Sequence, residues 1–357
     1  MDSIDRTQDP ADSRLATSVV VTTYNRRSNL HATLKPLLDD PQTGEIVVVV
    51  DGSRDGSLEL LRTWSISEPK LRILFQENAG EGAARQVGIE AARSEIVVLI
   101  DDDVVADPLL VSGHRRHHSS HSHNIVLGYM PTQIQIPRKP GQVATFLYAR
   151  DYEHASEDFE KDPESILNRL WAGNMSIKRE DVLRIGLRPS GTVEYHEDMQ
   201  FGFRCKQEGL SPVFDRSLRA RHLHSRGLDE FVSECRRSGT SRAVLREQYP
   251  NFADGIDPIV ALPFGTSYLI RILASSKGYS FSSTATKCAA RLAGQMRLWS
   301  VETGAARLLR QIELCMSFNE MRRTLEMAST DSELVAPDSG LPCHNHVHGS
   351  QADTQLE

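Results

Sequence analysis

The chain has no long apolar run. Its longest, residues 46–50 and 96–100, are strand-sized, well short of the ~18 apolar residues a bilayer-spanning helix needs. Cysteine is scarce as well. The five present (Cys205, Cys235, Cys288, Cys315 and Cys343) are odd in number, far apart and without a Cys-x-x-Cys pair. That excludes a disulfide framework and points to reduced thiols in a cytoplasmic protein. Excess positive charge is also missing: the net charge of −7 argues against a chain built to grip nucleic acid. The first sixteen residues lack an apolar centre and carry Asp2, Asp5, Asp9 and Asp12. They read as a flexible leader, not as a secretory signal.

What is present is an alternation. Residues 18–23, 46–50, 71–75 and 96–100 read as strands. Between them, helices are predicted over 26–39, 58–64 and 83–92 from apolar residues at helical spacing and an Ala-rich stretch. Strands that are apolar throughout and alternate with helices imply an α/β fold with a mostly parallel sheet covered on both faces. Further along, a helix is predicted over 108–121, an alternating strand over 125–136, and an acid-rich loop or loosely held helix over 150–164. Shorter strands are predicted over 172–177 and from 213, with helices over 179–185 and 197–208. Beyond residue 228 the pattern turns helical. Cys288, Leu292, Met296 and Trp299 form one apolar stripe, and Ala305, Leu308, Leu309, Ile312 and Met316 another, both read as packing faces. Residues 331–357 read as a disordered tail.

Two carboxylate clusters carry the chemistry. Asp101, Asp102 and Asp103 follow a buried strand directly, where repelling charges are tolerable if a cation sits among them. The carboxyl end of a parallel strand is also where open α/β sheets bind ligands. Hard cations such as Mg²⁺ or Mn²⁺ take carboxylates plus substrate phosphates, so this cluster reads as a metal–diphosphate site. Glu197 and Asp198 open a helix, which by itself favours acids; functionally, Asp198 could serve as a general base. Asp51, after the second strand and before Gly52, could accept an imide N–H from a nucleobase or simply organise a turn. Residues 80–85 approach the dinucleotide fingerprint, but Arg85 stands at the third glycine position. Small residues and Arg85 at a helix start still suit an anionic ligand. His222 and His224 are both candidate metal ligands, and spacing does not choose between them. The cluster His114-Arg115-Arg116-His117-His118 with His121 and His123 resembles a metal or polyanion patch but reads better as a solvated helix face, and Cys343, His344, His346 and His348 receive no role. Residues 259–274 carry Leu262, Phe264, Tyr268, Leu269 and Ile272, a set that could lie against lipid. Pro263 and Gly265 interrupt it, so internal packing is the favoured reading and peripheral membrane contact stays open.

Taken in order, Thr22-Thr23-Tyr24-Asn25-Arg26, Asp51-Gly52-Ser53, Asn78-Ala79-Gly80 with Ala84-Arg85, Asp101-Asp102-Asp103, Gly173-Asn174-Met175 and Glu197-Asp198 form a series that resembles the family 2 glycosyltransferases. The likeness covers roughly residues 17–225. It implies the GT-A fold over 17–227, a helical extension over 228–330, and inverting transfer from a nucleotide-diphosphate sugar with Mg²⁺ or Mn²⁺. By motif position, Thr23 and Tyr24 would flank the nucleotide, with uridine favoured, and Asp51 would contact its base. Arg85, Asp101, Asp102 and Glu197 would line the donor site, with Asp103 and His224 on the metal. Gly173 and Asn174 would shape the donor–acceptor junction, and Asp198 would be the base. The Gln-x-x-Arg-Trp series of processive synthases is missing after Asp198, so a single-addition enzyme fits better. Its acceptor would be a hydroxyl of a glycan, lipid-linked glycan or small molecule, with the cytoplasmic side of the membrane as one setting. The rival is a catalytically silent GT-A-like nucleotide-binding or scaffold subunit, which would be expected to have lost one carboxylate cluster. Both are intact.

Overall fold

The structure is a computed structural model that describes residues 17–334 apart from 119–122, 190, 253–255, 259, 261 and 276. The expected leader (1–16), His121 and the Cys343–His348 cluster lie outside the described residues.

The first half alternates as the sequence implies. Strands β1 (Thr17–Thr23), β2 (Thr43–Asp51), β3 (Leu71–Gln76) and β4 (Ile96–Asp101) pair in parallel, and helices α1 (Arg27–Asp39), α2 (Ser57–Ser65) and α3 (Glu81–Ala91) connect them. Both faces of these strands are apolar, for a reason visible in β1. Val19 and Val21 pack with Leu30, Leu34 and Leu37 of α1 and Leu61 of α2. Val20 points the other way, toward Ala84 and Ile89 of α3. A period-two strand buried on both sides must read as one continuous Val/Ile run.

After the short β5 (Val104–Ala106) and helix α4 (Leu110–His118) come β6 (Asn124–Tyr129) and helix α5 (Val143–Lys161). Strand β7 (Asn174–Lys178), helices α6 (Arg179–Ile185) and α7 (Glu197–Gln207), and strand β8 (Ser211–His222) follow. The sheet order is β3-β2-β1-β4-β7-β6-β8-β5, with β7 antiparallel to both β4 and β6. Of these later strands, β7 and β5 run against the others, while β6 and β8 keep the common direction. Helices α8 (Leu228–Gln248), α9 (Phe264–Leu273), α10 (Tyr279–Gln295) and α11 (Trp299–Leu334) complete the chain. The mostly parallel sheet and the helical C-terminal region are as expected.

Several boundaries differ from expectation. Strand β6 stops at Tyr129, before Pro131, which has no N–H to donate to a ladder. The acid-rich segment belongs to a 19-residue helix whose inner face buries Tyr152, Ala155, Ser156 and Phe159; its acids occupy the other face. Strand β8 runs twelve residues instead of a short stretch. The first predicted packing stripe opens outward: Cys288, Leu292 and Met296 are exposed, whereas Leu309 and Ile312 of the second are fully buried. Residues 331–334 continue α11 and so do not join the expected tail.

Candidate active site

The carboxyl ends of β1, β2 and β4 open into a cleft of about 740 Å³, closed on the far side by the start of α7 and by α8. Thr23, Tyr24, Asp51, Arg85, Asp101, Asp102, Asp103, Glu197, Asp198, His222 and His224 all line it. Of the residues singled out, Gly173 and Asn174 are the two that do not. Asn174 is fully buried behind the site. Its Nδ2 donates to the Leu218 carbonyl at 3.0 Å, and its Oδ1 lies 2.9 Å from His114 Nε2. This corrects its expected place at the donor–acceptor junction, because its polar atoms are spent on joining β7 to α4 and β8. Gly173 acts through its missing side chain, since a Cβ there would come within 2.5 Å of Asp101 Oδ2.

Asp51 neither caps α2 nor stands free. Its Oδ1 accepts from Ala79 N and Gln76 Nε2 at 2.8 Å, and its Oδ2 accepts from Gly80 N at 3.0 Å. The carboxylate therefore fixes the Asn78–Gly80 loop at the edge of the cleft. Gly80 adopts φ +90° there, a conformation that favours glycine. Tyr24, at the end of β1, keeps 51% of its surface exposed, a flat ring free to stack.

The acids after β4 divide between two counterions. Asp103 is paired with Arg26 and stands 3.3 Å from His222 Nε2, while Asp102 lies 3.6 Å from Arg26 Nε. Burial pushes Asp103 upward, but the hydrogen bond and charge of His222 together with Arg26 hold it well below the usual carboxylate range. Burial raises Asp102 to about 7 despite Arg26. Asp101 turns instead to Arg85, 5% exposed, at 2.6 Å. The same guanidinium meets Asp198 at 2.9 Å, Glu197 at 3.8 Å and also Glu81. Arg85 thus lines the cleft, but its donors are committed to carboxylates.

Asp198 is held from two sides: Arg85 donates to its Oδ1, and the Ala172 N–H donates to its Oδ2 at 2.9 Å. Burial raises its pKa against the opposing charge of Arg85. Glu197 is raised to about 7, first by burial and then by Asp198. A Cβ on Gly82 would strike Glu197 at 2.3 Å, so a glycine is needed for that approach. His196 precedes the pair at φ +69°, and its Nε2 lies 2.6 Å from Ser238 Oγ of α8. The helical region therefore helps to set the start of α7.

Asp103, His222 and His224 can each offer one ligand atom, and all three atoms lie within 4.8 Å of one another. One hard carboxylate with two imidazoles suits Mn²⁺ better than Mg²⁺. Burial lowers His224 to about 3, which leaves its imidazole neutral, as a ligand must be. Both candidate histidines join the set. Tyr148 packs against the two rings, 5.6 and 4.7 Å away, and Arg226 donates to His224 Nε2 at 2.7 Å. The polar loop Ser225-Arg226-Gly227 after His224 suits a site edge, and Arg226 lines the cleft; sequence reasoning missed the roles of Arg26, which stands inside the first motif, and of Tyr148, which nothing local marks.

The histidines of α4 also depart from the solvated reading. His114 and His118 are buried, each 2.8 Å from Ser176 Oγ of β7. His117 instead pairs with Asp215.

Residues 18–177 match the sequence profile described as Glycosyl transferase family 2. Over this stretch the chain is similar to that family. Over 273 residues the protein is 24% identical to the uncharacterized glycosyltransferase YfnE of Bacillus subtilis, covering 63% of this chain and 68% of YfnE. The putative glycosyltransferase EpsH of the same organism is 35% identical over 94 residues, 26% of this chain and 27% of EpsH. The dolichyl-phosphate beta-glucosyltransferase ALG5C of Trichomonas vaginalis is 33% identical over 105 residues, 26% and 30% of the two chains. The match to these last two thus spans less than a third of their length. The structure is similar to that of the mannosyltransferase PcManGT of Pyrobaculum calidifontis, solved with GDP-Man and Mn²⁺. The TM-score is 0.52 at 16% identity, covering 85% of this chain and 87% of that one. That likeness shows the GT-A fold.

Proposed function

We propose that the protein is a metal-dependent, inverting, single-addition glycosyltransferase that uses a nucleoside-diphosphate sugar, with uridine the favoured base. The observation that carries this reading is one cleft lined both by Asp103, His222 and His224, whose ligand atoms lie within 4.8 Å of one another, and by Asp198 at the start of α7. Tyr24 and the loop fixed by Asp51 would receive the nucleoside. A divalent cation held by Asp103 and the two histidines would neutralise the charge that develops on the departing diphosphate.

Asp198 would take the proton from an acceptor hydroxyl as its oxygen bonds to the anomeric carbon. The bond from that carbon to the phosphate oxygen breaks on the opposite face, which inverts the centre. Burial brings the base closer to neutrality, where a general base is most effective. Arg85 holds Asp198 in line with Asp101. The acceptor would be a hydroxyl on a glycan, a lipid-linked glycan or a small molecule.

Calorimetric titration of the full chain with UDP, GDP and dTDP, each with and without Mn²⁺, tests the proposal beside an Asp103→Ala variant. The expected result is Mn²⁺-dependent binding of one nucleotide, weakened at least about tenfold in the variant. Folded protein that binds none of the three would overturn it and favour the silent-subunit reading.

A further inference from the structure

Between Asp257 and Glu302 the chain has no acidic residue, while Arg271, Lys277, Lys287, Arg291 and Arg297 all fall in this stretch. In a chain of net charge −7 this is a basic island. Asp229 answers Lys287 and Arg291; among the described residues no carboxylate pairs with Arg271, Lys277 or Arg297.

Apolar side chains face outward in the same stretch. Helix α9 packs inward through Ile270, with Ala274 just beyond its end, against Cys315 of α11. Its opposite side presents Phe264, Tyr268 and Ile272, spaced four residues apart, together with Leu269. Phe264 is 88% exposed, and Phe281 at the start of α10 is 82% exposed. Leu292, Met296 and Leu298 are exposed farther on. The interruption expected from Pro263 and Gly265 falls at the start of α9, leaving the apolar stripe whole. None of the described helices is long and apolar enough to cross a membrane.

We propose that α9 and the adjoining start of α10 dock on the surface of an anionic phospholipid bilayer. A short helix with an aromatic–aliphatic face and basic residues beside it lies in the interfacial plane, its apolar side among the acyl chains and its cations at the headgroups. Charge chooses the occupant. A second copy packed face to face would set the unpaired Arg271 and Lys277 of one chain against those of the other, whereas an anionic leaflet attracts Lys and Arg. Exposed Phe264 and Tyr268 on one side of α9 match the aromatic residues found at membrane interfaces.

The test is flotation of the full chain with phosphatidylcholine vesicles, with and without phosphatidylglycerol, at low and high salt. The variants are Phe264→Glu/Ile272→Glu and Arg271→Glu/Lys277→Glu, each checked for folding by circular dichroism and for mass by light scattering. The expected result is binding that requires phosphatidylglycerol, weakens in high salt, and falls at least about tenfold in either double variant. Substitution of these exposed side chains leaves the packed face of α9 intact. The proposal is overturned if the folded protein fails to float with anionic vesicles, or if both variants float as well as the parent. A lipid-free dimer that the Phe264→Glu/Ile272→Glu variant splits would likewise overturn it.

Discussion

Two groups of carboxylates share the cleft and are compensated in opposite ways. Asp102 and Asp103 face Arg26, whose side chain is 44% exposed, and the imidazoles of His222 and His224. Asp101, Asp198, Glu197 and Glu81 surround Arg85, which is buried. A partly solvated guanidinium can swing aside for another cation at little cost. A buried guanidinium cannot, because each carboxylate it left would lack compensation in a poorly solvated place. The lesson is that the same residue types build an exchangeable half and a fixed half, and counterion burial decides which is which.

The sharpest way to break this comparison is Arg85→Leu. Removing one partner of a buried ionic cluster costs about 3–5 kcal/mol, and equilibrium denaturation should show a loss of that size. A loss under about 1 kcal/mol would mean that the cluster is not held by Arg85. Next in size is Glu197→Gln. The folded-state pKa of Glu197 is raised to about 7, by burial and then by Asp198. Its favourable contribution is therefore full below the unfolded pKa of about 4.3 and is lost as pH rises through 7. Urea titrations from pH 4 to 8 should show the variant gaining on the parent toward high pH, by about 3.5 kcal/mol at pH 8. A constant gap across the range would refute the assignment. The smallest effect belongs to Arg26→Ala. Arg26 is partly solvated, and Asp103 keeps His222 when it is removed, so stability should change by less than about 1 kcal/mol. Thermal melts of this variant should respond to Mn²⁺ at least as strongly as those of the parent. A cost matching that of Arg85→Leu would erase the distinction between the halves.

How far the sequence could be read follows the range of the forces involved. Strands β1, β2 and β4 were legible because burial on both faces writes an uninterrupted Val/Ile run, and the acids at their ends stand where parallel strands meet ligands. Helix α5 was obscured because its acids dominate the composition, although Tyr152, Ala155, Ser156 and Phe159 carry the helical period. His114 and His118 read as solvated because Ser176, the partner that takes them into the core, lies on β7, far along the chain. Asn174 shows the same limit in reverse. It sits at the expected motif position, yet contacts with His114 and Leu218 decide where its side chain points. No local pattern announces that Ser238 of α8 would contact His196 beside the candidate base.

The register of the edge ladder bears on when the site comes into being. Val104 pairs with His222, and Leu223 N donates to the Asp103 carbonyl at 2.8 Å. The aspartate and the two histidines are thus brought together by backbone zippering of β5 with β8, segments made early and late in synthesis. A nascent chain that has emerged only as far as α7 carries the acidic half of the ligand set without its imidazoles. On the proposed function, the candidate ligand set is therefore complete only once β8 has paired with β5.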